Sequence, residues 1–230
     1  MSRIPTPETL SKMALFRNLA PEHLSRLAGL LHHRSFPAET NILAAEQPGA
    51  VAYIILSGTV KIHVAQAESG VIIAFRGAGD VIGEMSLVDS IGHSADVITM
   101  ESCAVYWIDR ASFVACLQTI PMFAYNLSTI LSRRLRLASA QIQSLATQDV
   151  YGRVARQLLA FAQEYGEAAP HGDVVIPLRL TQSDLADLVG ASRVRVNQVL
   201  VAYKKAKHIS ISRDHRITVH NRAALLKRCQ

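Results

Sequence analysis

The sequence predicts an α+β chain in three parts: an N-terminal β-roll to residue 120, one long helix over 121–147, and a C-terminal winged helix-turn-helix over 148–230. Three observations predict it. Short β-type runs punctuated by turn residues fill the stretch from about 34 to 118. Pro121 then opens a helical periodicity that lasts to Thr147. From Thr181 onward, two short amphipathic patterns flank Gly190.

The totals permit this architecture. The chain has 230 residues, half of them apolar, which is enough to bury a core in two modest domains. No run of eighteen apolar residues suggests a membrane span, and Met-Ser-Arg-Ile-Pro-Thr-Pro-Glu lacks the apolar centre of a signal peptide. Cys103, Cys116 and Cys229 are scattered and show no metal-ligand spacing, so reduced thiols in the cytoplasm are expected. The net charge of +6 is concentrated: residues 148–230 hold 13 Lys and Arg against 7 Asp and Glu, while residues 1–147 balance at 11 each. A basic module joined to a neutral one is the footprint of a polyanion binder. Charge alone does not separate nucleic acid from an anionic membrane surface.

Residues 7–31 read as short helices, with Pro21 in a first turn and Leu24, Leu27, Leu30 and Leu31 at helical spacing. His32 and His33 close this segment as surface residues. The β-type runs are Val51–Leu56, Val60–Val64, Val71–Phe75, Val97–Met100 and Ala104–Ile108, with turns at 47–49, 57–58, 68–70 and 77–80. One stretch breaks their pattern: Gly79-Asp80-Val81-Ile82-Gly83-Glu84-Met85-Ser86-Leu87, followed by Gly92-His93-Ser94-Ala95. A glycine before a helical turn leaves backbone N–H groups to meet an anion. A carboxylate, Glu84, suits a sugar hydroxyl instead. Together they point to a ribose phosphate, the alternative being a purely structural turn.

On the long helix, Ala124, Ser128, Leu131, Leu135, Ala138, Ile142 and Leu145 form a coiled-coil seam, and Phe123, Leu127, Ile130 and Leu137 form a second stripe. One face can cover the roll and the other can pair with a second copy, so a parallel homodimer is expected. Burial of both stripes within one chain is the alternative. A further amphipathic helix spans Asp149–Tyr165, a polar loop 167–173 and a strand Val174–Leu180.

Thr181 with Asp184 resembles a capping box, Leu185, Ala186 and Val189 share one face, and Gly190 and Ser192 suit a helix end and the next cap. Val196, Val199 and Leu200 face inward on the second helix. Arg193, Arg195, Asn197 and Gln198 face outward, and these side-chain types pair with base edges and phosphates. Double-stranded DNA is therefore the expected partner, with Thr181, Gln182, Ser192 and the wing residue Arg213 as further contacts. A wing is expected from His208–Ile211 and Arg216–Val219, and a last short helix carries Arg222, Lys227 and Arg228.

Taken in this order, the chain resembles the cyclic-AMP receptor protein/fumarate-nitrate (Crp/Fnr) family of bacterial transcription regulators. The matches are Ile82-Gly83-Glu84-Met85-Ser86-Leu87, Ser132-Arg133-Arg134-Leu135, and Leu188-Val189-Gly190-Ala191-Ser192-Arg193 with Val196 and Leu200. The resemblance implies a cyclic-nucleotide-binding type of roll, a homodimer on a palindromic operator, contact with RNA polymerase, and no enzymatic turnover. It also implies an effector site at Gly83, Glu84, Met85, Ser86, His93, Ser94 and Ser139. The chain departs from the family pattern at two places: His93 stands where an arginine grips phosphate, and Ala138 where a threonine meets adenine. Histidine is mostly neutral at pH 7, with a reference pKa of about 6.5, and lacks arginine's bidentate grip. Cyclic AMP, another cyclic nucleotide and an unliganded pocket all stay open as readings. The cysteine pattern does not fit the family's iron-sulfur branch. No axial pair for haem is evident and no metal is expected. The rival reading is a nucleotide-binding subunit that acts on a protein partner and ignores DNA.

Overall fold

The computed structural model describes residues 5–65 and 70–229. Met1–Ile4, and Glu68 and Ser69 of the turn expected at 68–70, lie outside the described residues. Two compact units divide within the long helix, between Arg136 and Leu137, and residues 70–72 group with the second unit.

The first unit opens with α1 (Pro7–Ser11) and α2 (Pro21–Leu30), each with proline in its first turn. Eight strands follow among the described residues: β1 (His32–Phe36), β2 (Asn41–Leu43), β3 (Val51–Ser57), β4 (Val60–Val64), β5 (Val71–Arg76), β6 (Val81–Ile82), β7 (Asp96–Thr99) and β8 (Cys103–Asp109). They make two four-stranded sheets, ordered β1-β8-β3-β6 and β2-β7-β4-β5. Central β3 runs antiparallel to β8, with Tyr53 opposite Trp107 and Ile55 opposite Val105. Ile55, Val60, Val97, Cys103 and Val105 fill one apolar cluster in the roll. A second cluster joins Ile54, Tyr106 and Ile108 to Leu10, Phe16, Leu27 and Phe113, so helices cover that side of the sheet.

Helix α3 (Glu84–Asp89) interrupts the roll after β6. Residues 110–118, expected to share the β texture, are instead helix α4 (Arg110–Thr119). The side chain of Asp109 accepts from the Ser112 N–H and caps it, a local signal that outweighs the apolar run Phe113-Val114-Ala115-Cys116. His32 and His33 begin β1 instead of closing a helix, and the His32 ring lies 4.6 Å from that of Trp107. Burial pushes the Cys103 thiol up to about 11, which leaves it a core group with no reactive character.

Helix α5 (Pro121–Thr147) spans both units. In the first unit Phe123 and Leu127 are buried, Ile130 and Leu131 pack against the core, and Asn126 Nδ2 donates to the Leu15 and Arg17 carbonyls. Leu135 is 70% exposed and Ile142 69% exposed, with Leu137 and Leu145 also open. The seam is thus the open face from Leu135 onward, with Ala124 and Leu131 half-buried. The second stripe is the covered one, except Leu137.

The second unit continues with α6 (Val150–Glu164), whose Val154, Leu158 and Phe161 are buried. Strands β9 (Glu167–Ala168) and β10 (Val174–Ile176) flank a single tight turn at Pro170–Gly172. Then come α7 (Gln182–Val189), α8 (Arg193–Lys205), the wing strands β11 (Ile209–Ile211) and β12 (Ile217–Val219), and α9 (Arg222–Lys227). The four strands form one sheet in the order β11-β12-β10-β9. No single helix among the described residues is long and apolar enough to cross a membrane.

Candidate functional site

Two sites emerge, one in each unit. The first is built on the turn into α3. Gly83 adopts φ +79°, and a Cβ there would sit 2.9 Å from the Val51 carbonyl oxygen, so glycine is required both for conformation and for space. The turn starts α3 at Glu84, whose side chain is buried to 3% exposure. A carboxylate so placed needs compensation. Arg134 of α5 supplies it: Nη1 lies 2.6 Å from Glu84 Oε1, Nη2 lies 2.6 Å from the Val81 carbonyl oxygen, and Asp80 stands at 3.8 Å.

Ser86 is also buried, and its Oγ lies 3.0 Å from His93 Nδ1 and 3.2 Å from the Gly83 carbonyl oxygen. His93 is held in place by its backbone, which donates to Gln47 O and accepts from Glu46 N. Burial lowers the pKa of its imidazole, because desolvation disfavours the charged form. Across the turn, Arg110 donates to the Ser86 carbonyl oxygen at 3.0 Å and to Ser90 Oγ. Gly49 lies so close that an added Cβ would meet Ser86 Oγ at 2.1 Å. Gly83, Glu84, Ser86 and His93 therefore come together as expected. Ser94 is exposed beside them, and Met85 points outward at 52% exposure. Ala138 and Ser139 lie on the part of α5 that belongs to the second unit, and both are exposed.

Arg134 was missed by sequence reasoning, although a signal existed. It stands in the second stripe of α5, between Ile130 and Leu137, at the same helical spacing. A charge inside a buried stripe announces a buried partner.

The second site is the α7–α8 pair. Thr181 caps α7 by accepting from Asp184 N, and its hydroxyl donates to the Asp184 carboxylate. That proton is therefore not free for a phosphate oxygen. Gly190 ends α7 at φ +61°, and Ser192 caps α8 by accepting from Arg195 N, which keeps its own proton available. Val196, Val199, Leu200 and Tyr203 are buried, while Arg193, Arg195, Asn197 and Gln198 are exposed. Neighbouring polar groups preset this face: Gln182 Nε2 donates to Asn197 Oδ1 at 3.0 Å, and Arg195 Nη1 donates to Gln198 Oε1 at 3.1 Å. Arg153 of α6 braces the turn by donating to the Val189 carbonyl oxygen at 2.8 Å and to that of Gly190 at 3.2 Å. On the wing, Arg213 is exposed, and Arg216 pairs with Asp214 while donating to the Pro177 carbonyl oxygen. Among the described residues, no group of three His, Cys, Asp or Glu side chains comes together to hold a metal ion.

Residues 33–120 match the cyclic nucleotide-binding domain family, and residues 152–228 match the Crp-like helix-turn-helix domain. The CRP-like cAMP-activated global transcriptional regulator of Mycobacterium tuberculosis is 32% identical over 198 residues, 85% of this chain and 88% of that protein. The cyclic AMP receptor protein of Thermus thermophilus is 30% identical over 82% of this chain and 84% of its own length. In fold, the structure of FixK2 from Bradyrhizobium japonicum superimposes with a TM-score of 0.76 at 21% identity, covering 87% of this chain and 98% of that one.

Proposed function

The chain belongs to the Crp/Fnr family of DNA-binding transcription regulators, and from this premise we propose that it acts as a homodimer on a palindromic duplex under control of cyclic AMP or a related cyclic nucleotide. It is a regulator and not an enzyme. The observation that carries the DNA reading is the face of α8: Arg193, Asn197 and Gln198 stand exposed on a helix whose opposite side is buried, in the basic third of the chain. This is the chemistry of a major-groove reading helix.

The effector reading rests on the α3 turn and on the names of the relatives. Glu84 offers a carboxylate to a ribose hydroxyl, and His93 with Ser94 offers donors to the phosphate. Arg134 ties the turn to the long helix, so a ligand that touches Glu84 acts on the element that bears the open apolar stripe. That stripe, with Leu135, Ile142 and Leu145, is the surface through which two copies pair. Ligand binding then biases the dimer toward one of two arrangements. Operator choice follows Arg193, Asn197 and Gln198, with Gln182, Ser192 and Arg213 adding backbone contacts. Three segments divide the labour: sensor over 1–120, dimer helix over 121–147, DNA module over 148–230. Such a regulator works in the cytoplasm beside RNA polymerase.

The test is DNA footprinting on duplexes selected from a random library, with and without cyclic AMP. Protection of two half-sites about 34 Å apart, strengthened by the nucleotide, is the expected result. Protection of a single half-site removes the dimer reading, and indifference to every cyclic nucleotide removes the effector reading.

A further inference from the structure

One exposed feature of the second unit is left unused by the roles above. At the start of α6, the ring of Tyr151 carries two guanidinium groups: Arg195 Cζ lies 5.6 Å from its centroid and Arg228 Cζ 5.8 Å. These residues come from three elements, the N-terminal turn of α6, the reading helix α8 and the C-cap of α9. The ring itself is fixed. Tyr203, buried in α8, packs edge-on against it at 6.0 Å and 85°, and its hydroxyl donates to the Tyr151 carbonyl oxygen at 2.8 Å.

Both guanidiniums stay charged, so an anion that reaches both is held by two cations. Among the described residues neither guanidinium has a carboxylate within ion-pair distance. Asp149, the cap of α6, accepts from the Gly152 N–H through Oδ1. Among the described residues the side chain of Arg195 has the neutral Gln198 as its one hydrogen-bond partner, and both arginines are exposed. The ring orients them without neutralising them, which leaves N–H groups other than the one Arg195 gives to Gln198 for an anionic oxygen.

From this geometry, and resting on the DNA-binding reading above, we infer that Tyr151, Arg195 and Arg228 form a clamp for a backbone phosphate of the bound duplex. Arg195, although it stands on the reading helix, then positions the protein and reads no base. Tyr151 is the positioning residue, acting through the two arginines. The C-terminal α9, which carries Arg228, becomes part of the DNA-binding surface.

The experiment measures affinity for the selected operator and for a scrambled duplex across a salt series, using the full chain. Variants are R195A, R228A, Y151L and Y151F, with R193A as the base-reading control. Loss of one phosphate contact weakens both duplexes by the same factor and reduces the slope of log K against log salt by about 0.9. That is expected for R195A and for R228A. Y151L should weaken both duplexes by about two- to fivefold, and Y151F, which keeps the ring, should restore wild-type binding. R193A should instead collapse the preference for operator over scrambled duplex. A relaxed base preference in R195A with an unchanged salt slope overturns the inference. Wild-type affinity and slope in R228A overturn it as well. A wild-type chain that binds neither duplex brings down the DNA-binding reading itself, a result distinct from failure of the clamp alone.

Discussion

Arg134 and Glu84, fifty residues apart in the chain, form a short ion pair of 2.6 Å with the carboxylate almost fully buried. The pair joins the turn into α3 to the long helix. Glu84 cannot be desolvated without a cation beside it, and Arg134 also holds the Val81 carbonyl oxygen.

Removing one partner should therefore cost more than removing both. Arg134→Met strands a buried carboxylate and should destabilise the protein by about 3 kcal/mol, the low end for a broken buried pair because Arg134 keeps 18% exposure. Arg134→Met combined with Glu84→Gln should cost clearly less than the sum of the single changes. Urea unfolding of the four proteins measures this coupling.

Effector binding should depend on pH through His93. Burial depresses its pKa below 6.5, so just below that pH the unfolded chain binds more protons and stability falls as the pH falls. A bound phosphate reverses the preference by favouring the charged ring. The cation fits the geometry: Nδ1–H donates to Ser86 Oγ, the Ser86 hydroxyl donates to the Gly83 carbonyl oxygen, and Nε2–H is left for the anion. Arg110 holds the Ser86 carbonyl oxygen, not its hydroxyl, and does not compete. Affinity for cyclic AMP should rise between pH 8 and pH 6. His93→Arg should tighten binding about tenfold at pH 8 and flatten the profile. Calorimetry at the two pH values decides it, and an unchanged affinity in His93→Arg rules this role out.

The open stripe of α5 should govern assembly. Replacing Leu135 and Ile142 with lysine keeps helix propensity while placing charge on the apolar face. Sedimentation equilibrium should then give a monomer mass where the wild-type chain is expected to give a dimer mass, with unchanged far-UV circular dichroism. A variant that stays dimeric places the interface elsewhere.

Gly83→Ala should show how tightly the turn is specified. The methyl would enter at φ +79°, within 2.9 Å of both the Val51 carbonyl oxygen and Leu43 Cδ1. A cost of about 1–3 kcal/mol in urea unfolding is expected, with weakened effector binding.

Much of the molecule was legible in the sequence because its signals are local. Thr181, Gly190 and Ser192 mark the ends of α7 and α8 by conformation and capping. The apolar spacing of Val196, Val199 and Leu200 fixes which face of α8 stays outside, and hence which side chains can meet DNA. The Gly83-Glu84 step, with Ser86 and His93 after it, announced the turn that the fold builds. Helix α4 was misread because its apolar run fits a strand as well as a helix, and the Asp109 cap settled the matter.

By itself, then, the sequence determined the order of elements, their caps, and the split between a charge-balanced stretch over 1–147 and a basic one over 148–230. Periodicity and capping act over three or four residues and need no knowledge of the rest of the chain. Only the tertiary structure decided the partners of the charges: Arg134 for Glu84, Arg153 for the α7 turn, and Tyr151 for Arg195 and Arg228. Such pairs join residues tens of positions apart, and a charge can find any of several opposite or aromatic groups until the packed elements leave one within reach.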